Sequence, residues 1–192
     1  MPSYACVDIG GTSIKYGVTD GGGRFLAKGA APNPVRAGGV GDMVSLVVSR
    51  IRAYEQAYPL AGIAVSTAGM VDPATGDILY AGESFPGYTG TRLQAILTEA
   101  CRLPCRVEND VNCAGMGELW LGAGRGAKSL VCLTIGTGIG GCVILDGRLV
   151  HGASNSAGEV GYMRVGEPGT LESLASASQL VREVAAAKGM AA

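Results

Sequence analysis

Apolar positions along this chain come in short runs separated by glycine-rich and polar breaks, and the period of each run predicts its element. The run at 4–7 leads into a strand at 7–9, and residues 14–19 and 24–29 read as two more strands joined by an Asp20-Gly21-Gly22-Gly23 hairpin. After a Pro-rich connection at 31–34, Val40, Met43, Val44, Val47, Val48, Ile51 and Tyr54 fall at helical spacing and predict a helix over 40–58 that ends before Pro59. LAGIAVS at 60–66 reads as a buried strand, followed by a polar loop holding Asp72-Pro73 and Thr75-Gly76-Asp77 and then a strand at 78–80. A helix is expected at 91–101, a strand at 105–108, and a third helix at 111–121 opened by Asn109 and Asp110. Beyond the glycine-rich link GAGRGAK, residues 130–135 and 142–145 are expected to be strands. Asp146-Gly147 turns the chain into a further strand at 148–150. A loop over 152–169 and a closing helix over 171–188, broken near Ser178, complete the pattern.

Strands, hairpins and crossover helices alternate, which defines an α/β class with a mixed sheet. The order strand-strand-strand-helix-strand begins again after Gly126. Two similar lobes are therefore expected, residues 1–121 and 122–192, facing each other across a cleft, with the second incomplete.

Charge narrows the functions open to such a fold. Fifteen Lys and Arg against sixteen Asp and Glu give a formal charge of -1, so no basic field draws the chain onto nucleic acid or an anionic membrane. No apolar run reaches the roughly 18 residues of a spanning helix. The six cysteines are scattered, four of them in or beside apolar runs where a thiol behaves as a small hydrophobe, and the chain opens directly into structure without a signal peptide pattern. A reduced, cytoplasmic setting without disulfides is expected. Cys101 and Cys105 have a spacing compatible with a metal, but no second pair or nearby His completes a tetrahedral set, and a structural reading is preferred.

Small-molecule chemistry has clearer signals. In DIGGTSIKYG (8–17) a carboxylate leaves a strand and is followed by two glycines, a hydroxyl and a lysine. This arrangement can wrap backbone N–H groups around a phosphate with a metal beside Asp8. LTIGTGIGG (133–141) satisfies G-x-G-x-x-G, yet a strand rather than a helix follows, so the dinucleotide-binding reading fails on context. What remains is a second strand-glycine-strand hairpin, which with the first could grip a triphosphate; glycines that merely permit positive φ are the plainer alternative for either alone. ENDVNCAG (108–115) sets Asn109 and Asp110 where a strand ends and a helix begins. Either residue could simply cap the helix, but a carboxylate at that sheet edge is also placed to accept a proton from a substrate hydroxyl.

With AVSTAGMVD, FPGYTG and SAGEVGY, these motifs occur in an order that resembles the ROK family of bacterial sugar kinases and related repressors, over about residues 4–188. The resemblance implies an actin-like ATPase fold, two ribonuclease-H-like lobes around a cleft, and transfer of the γ-phosphate of ATP, with Mg²⁺, to a hydroxyl of glucose or an N-acetylhexosamine. It implies a first phosphate loop of Asp8, Gly10, Gly11, Thr12 and Lys15, with Asp8 serving Mg²⁺ through the phosphates, and a second of Thr134, Gly136, Thr137 and Gly138. Asp110 matches the catalytic base and Asn109 a sugar-binding residue. Gly69 matches the glycine of the sugar-facing loop, and Glu159 and Glu172 match carboxylates on the far side of the ring. A homodimer is the expected assembly, with a hexose substrate and no nucleic-acid or membrane partner.

Two departures from the family pattern stand out. Many members carry a zinc site built from a His after the E-x-G stretch and nearby cysteines. Here Tyr162 stands at the His position, residues 163–170 hold no cysteine, and His151 is the chain's one histidine, so no zinc is expected and Tyr162 is expected to cover the sugar instead. Family kinases also continue for roughly half this chain's length again. Nucleotide binding by this stretch alone is therefore expected to be weak, and its last helix to favour self-association. A sugar-sensing module related to the repressors, or a sugar-binding piece without catalysis, are the alternative functions. A repressor of this family carries a helix-turn-helix ahead of the first loop, where only residues 1–3 stand here.

Overall fold

The computed structural model describes residues 1–166 and 169–190. Glu167 and Pro168, in the loop expected over 152–169, lie outside the described residues, as do Ala191 and Ala192. The chain divides into two compact units, Met1–Asp110 and Val111–Ala192.

The first unit is built on a five-stranded sheet of order β3-β2-β1-β4-β7. Strands β1 (Ser3–Ile9), β2 (Ser13–Asp20) and β3 (Phe25–Pro32) form an antiparallel meander, and β4 (Leu60–Thr67) and β7 (Cys105–Asn109) add to β1 in parallel. Parallel pairing requires crossovers. These are supplied by α1 (Val35–Glu55) before β4 and by α2 (Leu93–Cys101) before β7. Strand alternation gives each strand two unlike faces. In β1, Ala5, Val7 and Ile9 are buried with Ile63 and Val65 of β4 and Val107 of β7. Val35, Met43, Val47 and Ile51 of α1 and Leu93, Leu97 and Cys101 of α2 join them in one cluster. Each fully buried aliphatic side chain there stabilises the unit by about 1.5–3 kcal/mol relative to exposure.

Helix α1 begins five residues before the apolar periodicity does, because its first turn is set off by a kink at Gly39, whose φ of 76° is open to glycine. A short ribbon of β5 (Met70–Val71) and β6 (Ile78–Tyr80) leaves the end of β4. Two residues are too few to carry a period, which is why β5 is silent in the sequence. Helix α2 ends on Arg102 in the left-handed region (φ 55°), ahead of Pro104.

The second unit opens on α3 (Asp110–Leu121), whose first residue belongs to the first unit, and carries an antiparallel sheet of β8 (Leu130–Ile135), β9 (Ile139–Leu145) and β10 (Arg148–Leu149). Asp146 and Gly147 both adopt positive φ (49° and 74°), giving the tight turn expected between β9 and β10. Strand β9 starts three residues earlier than its apolar run, so Gly140 and Gly141 lie within it. Their absent side chains are occupied space: a Cβ at Gly141 would lie 2.6 Å from the Gly158 carbonyl oxygen, and one at Gly140 would strike Val111. The closing helix is two, α4 (Leu171–Ala175) and α5 (Ala177–Ala187), broken at Ser176, close to the expected position near Ser178. Ser176 is extended, and its Oγ accepts from Gln179 N at 3.2 Å to cap α5. Among the described residues, no helix is long and apolar enough to cross a membrane.

Candidate functional site

Register aligns Lys15 of β2, Asp8 of β1, Ser66 of β4 and Glu108 of β7 as successive cross-strand partners. They occupy the sheet face away from α1 and α2, since their chain neighbours Ile14, Val7, Ile9, Val65 and Val107 are the ones buried in the core. Ser66 Oγ donates to Asp8 Oδ1 at 2.9 Å, and Lys15 Nζ reaches Asp8 Oδ2 at 3.5 Å. The Lys15 and Asp8 side chains are 70% and 43% exposed, so the ion pair contributes at most about 1 kcal/mol. Its effect is on placement: one carboxylate oxygen is fixed by a hydroxyl while a cation stands beside the other.

The turn between β1 and β2 sits directly beyond Asp8. Gly10 N donates to Ser13 O at 3.1 Å, while Asn33, at the junction of β3 and α1, donates from its backbone N to Thr12 O at 2.9 Å and from Nδ2 to Gly10 O at 2.8 Å. Asn33 Oδ1 accepts from Val35 N at 3.0 Å. Gly11 faces Ser84 and Phe85, which would lie 3.5 and 3.7 Å from a Cβ there.

One register step further, Ile9, Thr67 and Asn109 are aligned. Thr67 is buried, and its Oγ1 shares a 2.9 Å hydrogen bond with the hydroxyl of Tyr88, itself fully buried and stacked on Phe85 at 5.2 Å. Burial pushes the Tyr88 phenol up to about 12, against the opposing pull of the Thr67 hydrogen bond. The loop at 82–90 is thereby anchored beside the first turn. Asn109 Nδ2 donates to Gly69 O at 3.0 Å. Asp110 follows as the first residue of α3 and is exposed, where a carboxylate also suits the positive end of the helix.

In the second unit, Gly136, Thr137 and Gly138 form the turn between β8 and β9, with Gly136 N donating to Gly138 O at 2.9 Å. Glu172 of α4 accepts from Ile139 N at 2.8 Å through Oε2 and fills the space a side chain at Gly138 would need. Ala177 N donates to Gly136 O at 2.9 Å. The turn is therefore held from the start of α4 and the start of α5. Thr134 pairs across the strands with Gly140. Glu159 is half-buried and precedes a 3-10 turn, Val160–Tyr162, on which Tyr162 is 68% exposed.

Of the residues singled out from the sequence, the first unit brings Asp8, Gly10, Gly11, Thr12, Lys15, Gly69, Asn109 and Asp110 to the C-terminal ends of its parallel strands and the adjoining turns. The second gathers Thr134, Gly136, Thr137, Gly138 and Glu172 around its glycine turn, with Glu159 just before the neighbouring 3-10 turn and Tyr162 on it. Sequence reading passes over Ser66, Asn33 and Glu108, whose Oε1 accepts from Asn109 N at 2.8 Å. Asn33 is flanked by Pro32 and Pro34 and reads as a connection. The signal for Ser66 is its place in the last residues of a buried strand parallel to the one that ends in Asp8.

Fold and site together define an α/β protein with a carboxylate and a glycine turn at the ends of its parallel strands. A model of the ROK family matches residues 4–185, and the chain belongs to the ROK family. It is 50% identical over 191 residues to an uncharacterized protein of Clostridium perfringens, aligning 99% of this chain with 64% of that one. It is 39% identical over 165 residues to a β-glucoside kinase of Listeria monocytogenes, aligning 86% of this chain with 54% of that one. A solved ROK family glucokinase from Streptomyces griseus, in complex with glucose and AMPPNP, matches with a TM-score of 0.84 at 31% identity, covering 97% of this chain and 62% of that one. The chain thus spans less than two thirds of the length of each of these relatives. Its fold is the α/β actin-like ATPase fold of the ROK sugar kinases.

Proposed function

We propose that the full-length protein is a sugar kinase that transfers the γ-phosphoryl group of ATP to a hydroxyl of glucose, a glucoside or an N-acetylhexosamine, with Asp110 as the general base. The observation that carries this reading is that Asp8, near the end of β1, and Asp110, directly after β7, stand at the C-terminal edge of one parallel set of strands, with Ser66 of β4 between them holding Asp8. Kinase relatives, one of them bound to glucose and an ATP analogue, support it.

In this mechanism Asp110 accepts the proton of the sugar hydroxyl as its oxygen attacks the γ-phosphorus. The bond from that phosphorus to the bridging oxygen breaks, and ADP departs with the bond's electron pair. General-base help of this kind contributes about 10²- to 10⁴-fold. Asn109, Glu159 and Glu172 offer acceptors and donors to ring hydroxyls, with Gly69 supporting Asn109 and Tyr162 lying over the sugar. The backbone of the turns at 10–12 and 136–138, with Thr134 and Lys15, holds the phosphates. Asp8 suits Mg²⁺: a single half-exposed carboxylate, oriented by Ser66, fits an ion that keeps several waters and takes its other oxygens from phosphate. When bound, Mg²⁺ neutralises charge on the transferring phosphates.

The lobes of this enzyme are taken as 1–121 and 122–192, the second completed by sequence that its relatives carry. A homodimer and a cytoplasmic setting complete the reading, and six free cysteines fit the latter. Sugar-dependent ADP release by the full-length protein, measured over a panel of hexoses, glucosides and N-acetylhexosamines, tests the reading. No turnover with any of them would sink it.

A further inference from the structure

We infer that Asn33 is a positioning residue for phosphate binding, the side chain that turns the first glycine turn outward; this rests on the reading of that turn as a phosphate site. Asn33 engages the turn at both ends. Its backbone N–H takes the Thr12 carbonyl at 2.9 Å, and its Nδ2 takes the Gly10 carbonyl at 2.8 Å. The Gly10 N–H is used within the turn by Ser13 O at 3.1 Å. Among the described residues nothing accepts from the N–H groups of Gly11 and Thr12.

The consequence is electrostatic. A peptide turn offers an anion both N–H groups, which attract it, and carbonyls, which repel it, and its affinity depends on which face is presented. Asn33 ties two carbonyls back toward the β3–α1 junction and leaves two donors at the tip. The amide serves both the turn and the helix from two separate atoms. Oδ1 accepts from Val35 N (3.0 Å) while Nδ2 donates to Gly10 O; an ionised carboxylate has no donor for the second bond, and a hydroxyl would have to make both from a single oxygen. Val35 is itself buried against the core, so the first turn of α1 is fixed and Asn33 with it.

Asn33→Asp separates the two roles. It keeps an acceptor for Val35 N, and hence the helix start, but sets a carboxylate oxygen against Gly10 O. Asn33→Ser, which also keeps a cap acceptor and does not reach Gly10, serves if the Asp variant fails to fold. The experiment follows the Gly11 and Thr12 amide resonances of the ¹⁵N-labelled full-length protein during titration with inorganic tripolyphosphate and with Mg-ATP. Steady-state kinetics are measured in parallel.

In the wild type both amides shift. In Asn33→Asp the apparent Kd for tripolyphosphate and the KM for ATP rise roughly tenfold or more, the equivalent of one lost charge-sensitive hydrogen bond, with the KM for sugar unchanged. Wild-type affinity in the variant, an equal rise in the sugar KM, or wild-type amides that do not shift would each overturn the inference. Shifting amides in a protein that turns over no sugar would leave Asn33 in place and remove the sugar-kinase reading instead.

Discussion

Asn109 Nδ2 donates to the carbonyl oxygen of Gly69 at 3.0 Å, joining the end of β7 to the loop after β4 across forty residues of sequence. Gly69 has φ of 101°, and a Cβ there would lie 2.6 Å from the Tyr80 carbonyl oxygen. The loop can therefore present its carbonyl to Asn109 only with glycine at this position. Gly69→Ala is expected to destabilise the protein by roughly 2 kcal/mol or more through strain and collision, and Asn109→Ala by about 1 kcal/mol through the lost hydrogen bond. Chemical denaturation of the single and double variants should give less than the sum of the two, because both remove the same contact.

Ser66 touches no substrate in the proposed mechanism, yet it orients Asp8 at 2.9 Å. Ser66→Ala is expected to raise the Mg²⁺ concentration for half-maximal activity by about 10-fold or more, as the loss of an outer partner of a metal-binding carboxylate does. A Mg²⁺ titration at saturating ATP and sugar reads this directly, and an unchanged midpoint would dissociate Ser66 from the metal.

Much of this fold is legible in the sequence, and the reasons are local. The strands from β1 to β4 and β7 to β9 declare themselves by short β-rich runs between glycine and proline breaks, and the turn at Asp146-Gly147 by a pair that accepts positive φ. The errors are equally local: the kink at Gly39 and the glycines inside β9 each interrupt a pattern without ending the element. The site divides differently. Motif residues with distinctive chemistry, such as Asp8 and Asp110, can be picked out in advance. Residues whose part comes from a distant partner cannot. Ser66 meets Asp8 across 58 positions, and Asn33 meets Gly10 across 23. Glu172 is picked out by its motif, but its contact with Ile139 N across 33 positions, which braces the second glycine turn through one carboxylate oxygen, is not legible in the sequence.

Alkaline pH probes the anchor of the loop at 82–90. Tyr88, pushed up to about 12 from an ordinary 10.0, stays neutral in the folded protein when the unfolded chain has ionised. The unfolded state then binds fewer protons, so stability is fully present below pH 10 and falls from there toward 12. This one group accounts for a loss on the order of 2 to 3 kcal/mol. Cys105, raised by burial from 9.0 to about 12, acts in the same direction from pH 9. Denaturation midpoints measured from pH 8 to pH 12 should fall less steeply above pH 10 in Tyr88→Phe than in the wild type. Equal slopes would mean that Tyr88 is not held neutral.

In the proposed mechanism Asp110 deprotonates a sugar hydroxyl during phosphoryl transfer. The most direct test of this step is the sugar-dependent kcat of the full-length protein beside that of Asp110→Asn, on the best acceptor found in the panel, with ATP and sugar affinities measured alongside. A general base at this position predicts a fall in kcat of about 10²- to 10⁴-fold with ATP affinity preserved. Undiminished turnover in Asp110→Asn would contradict it.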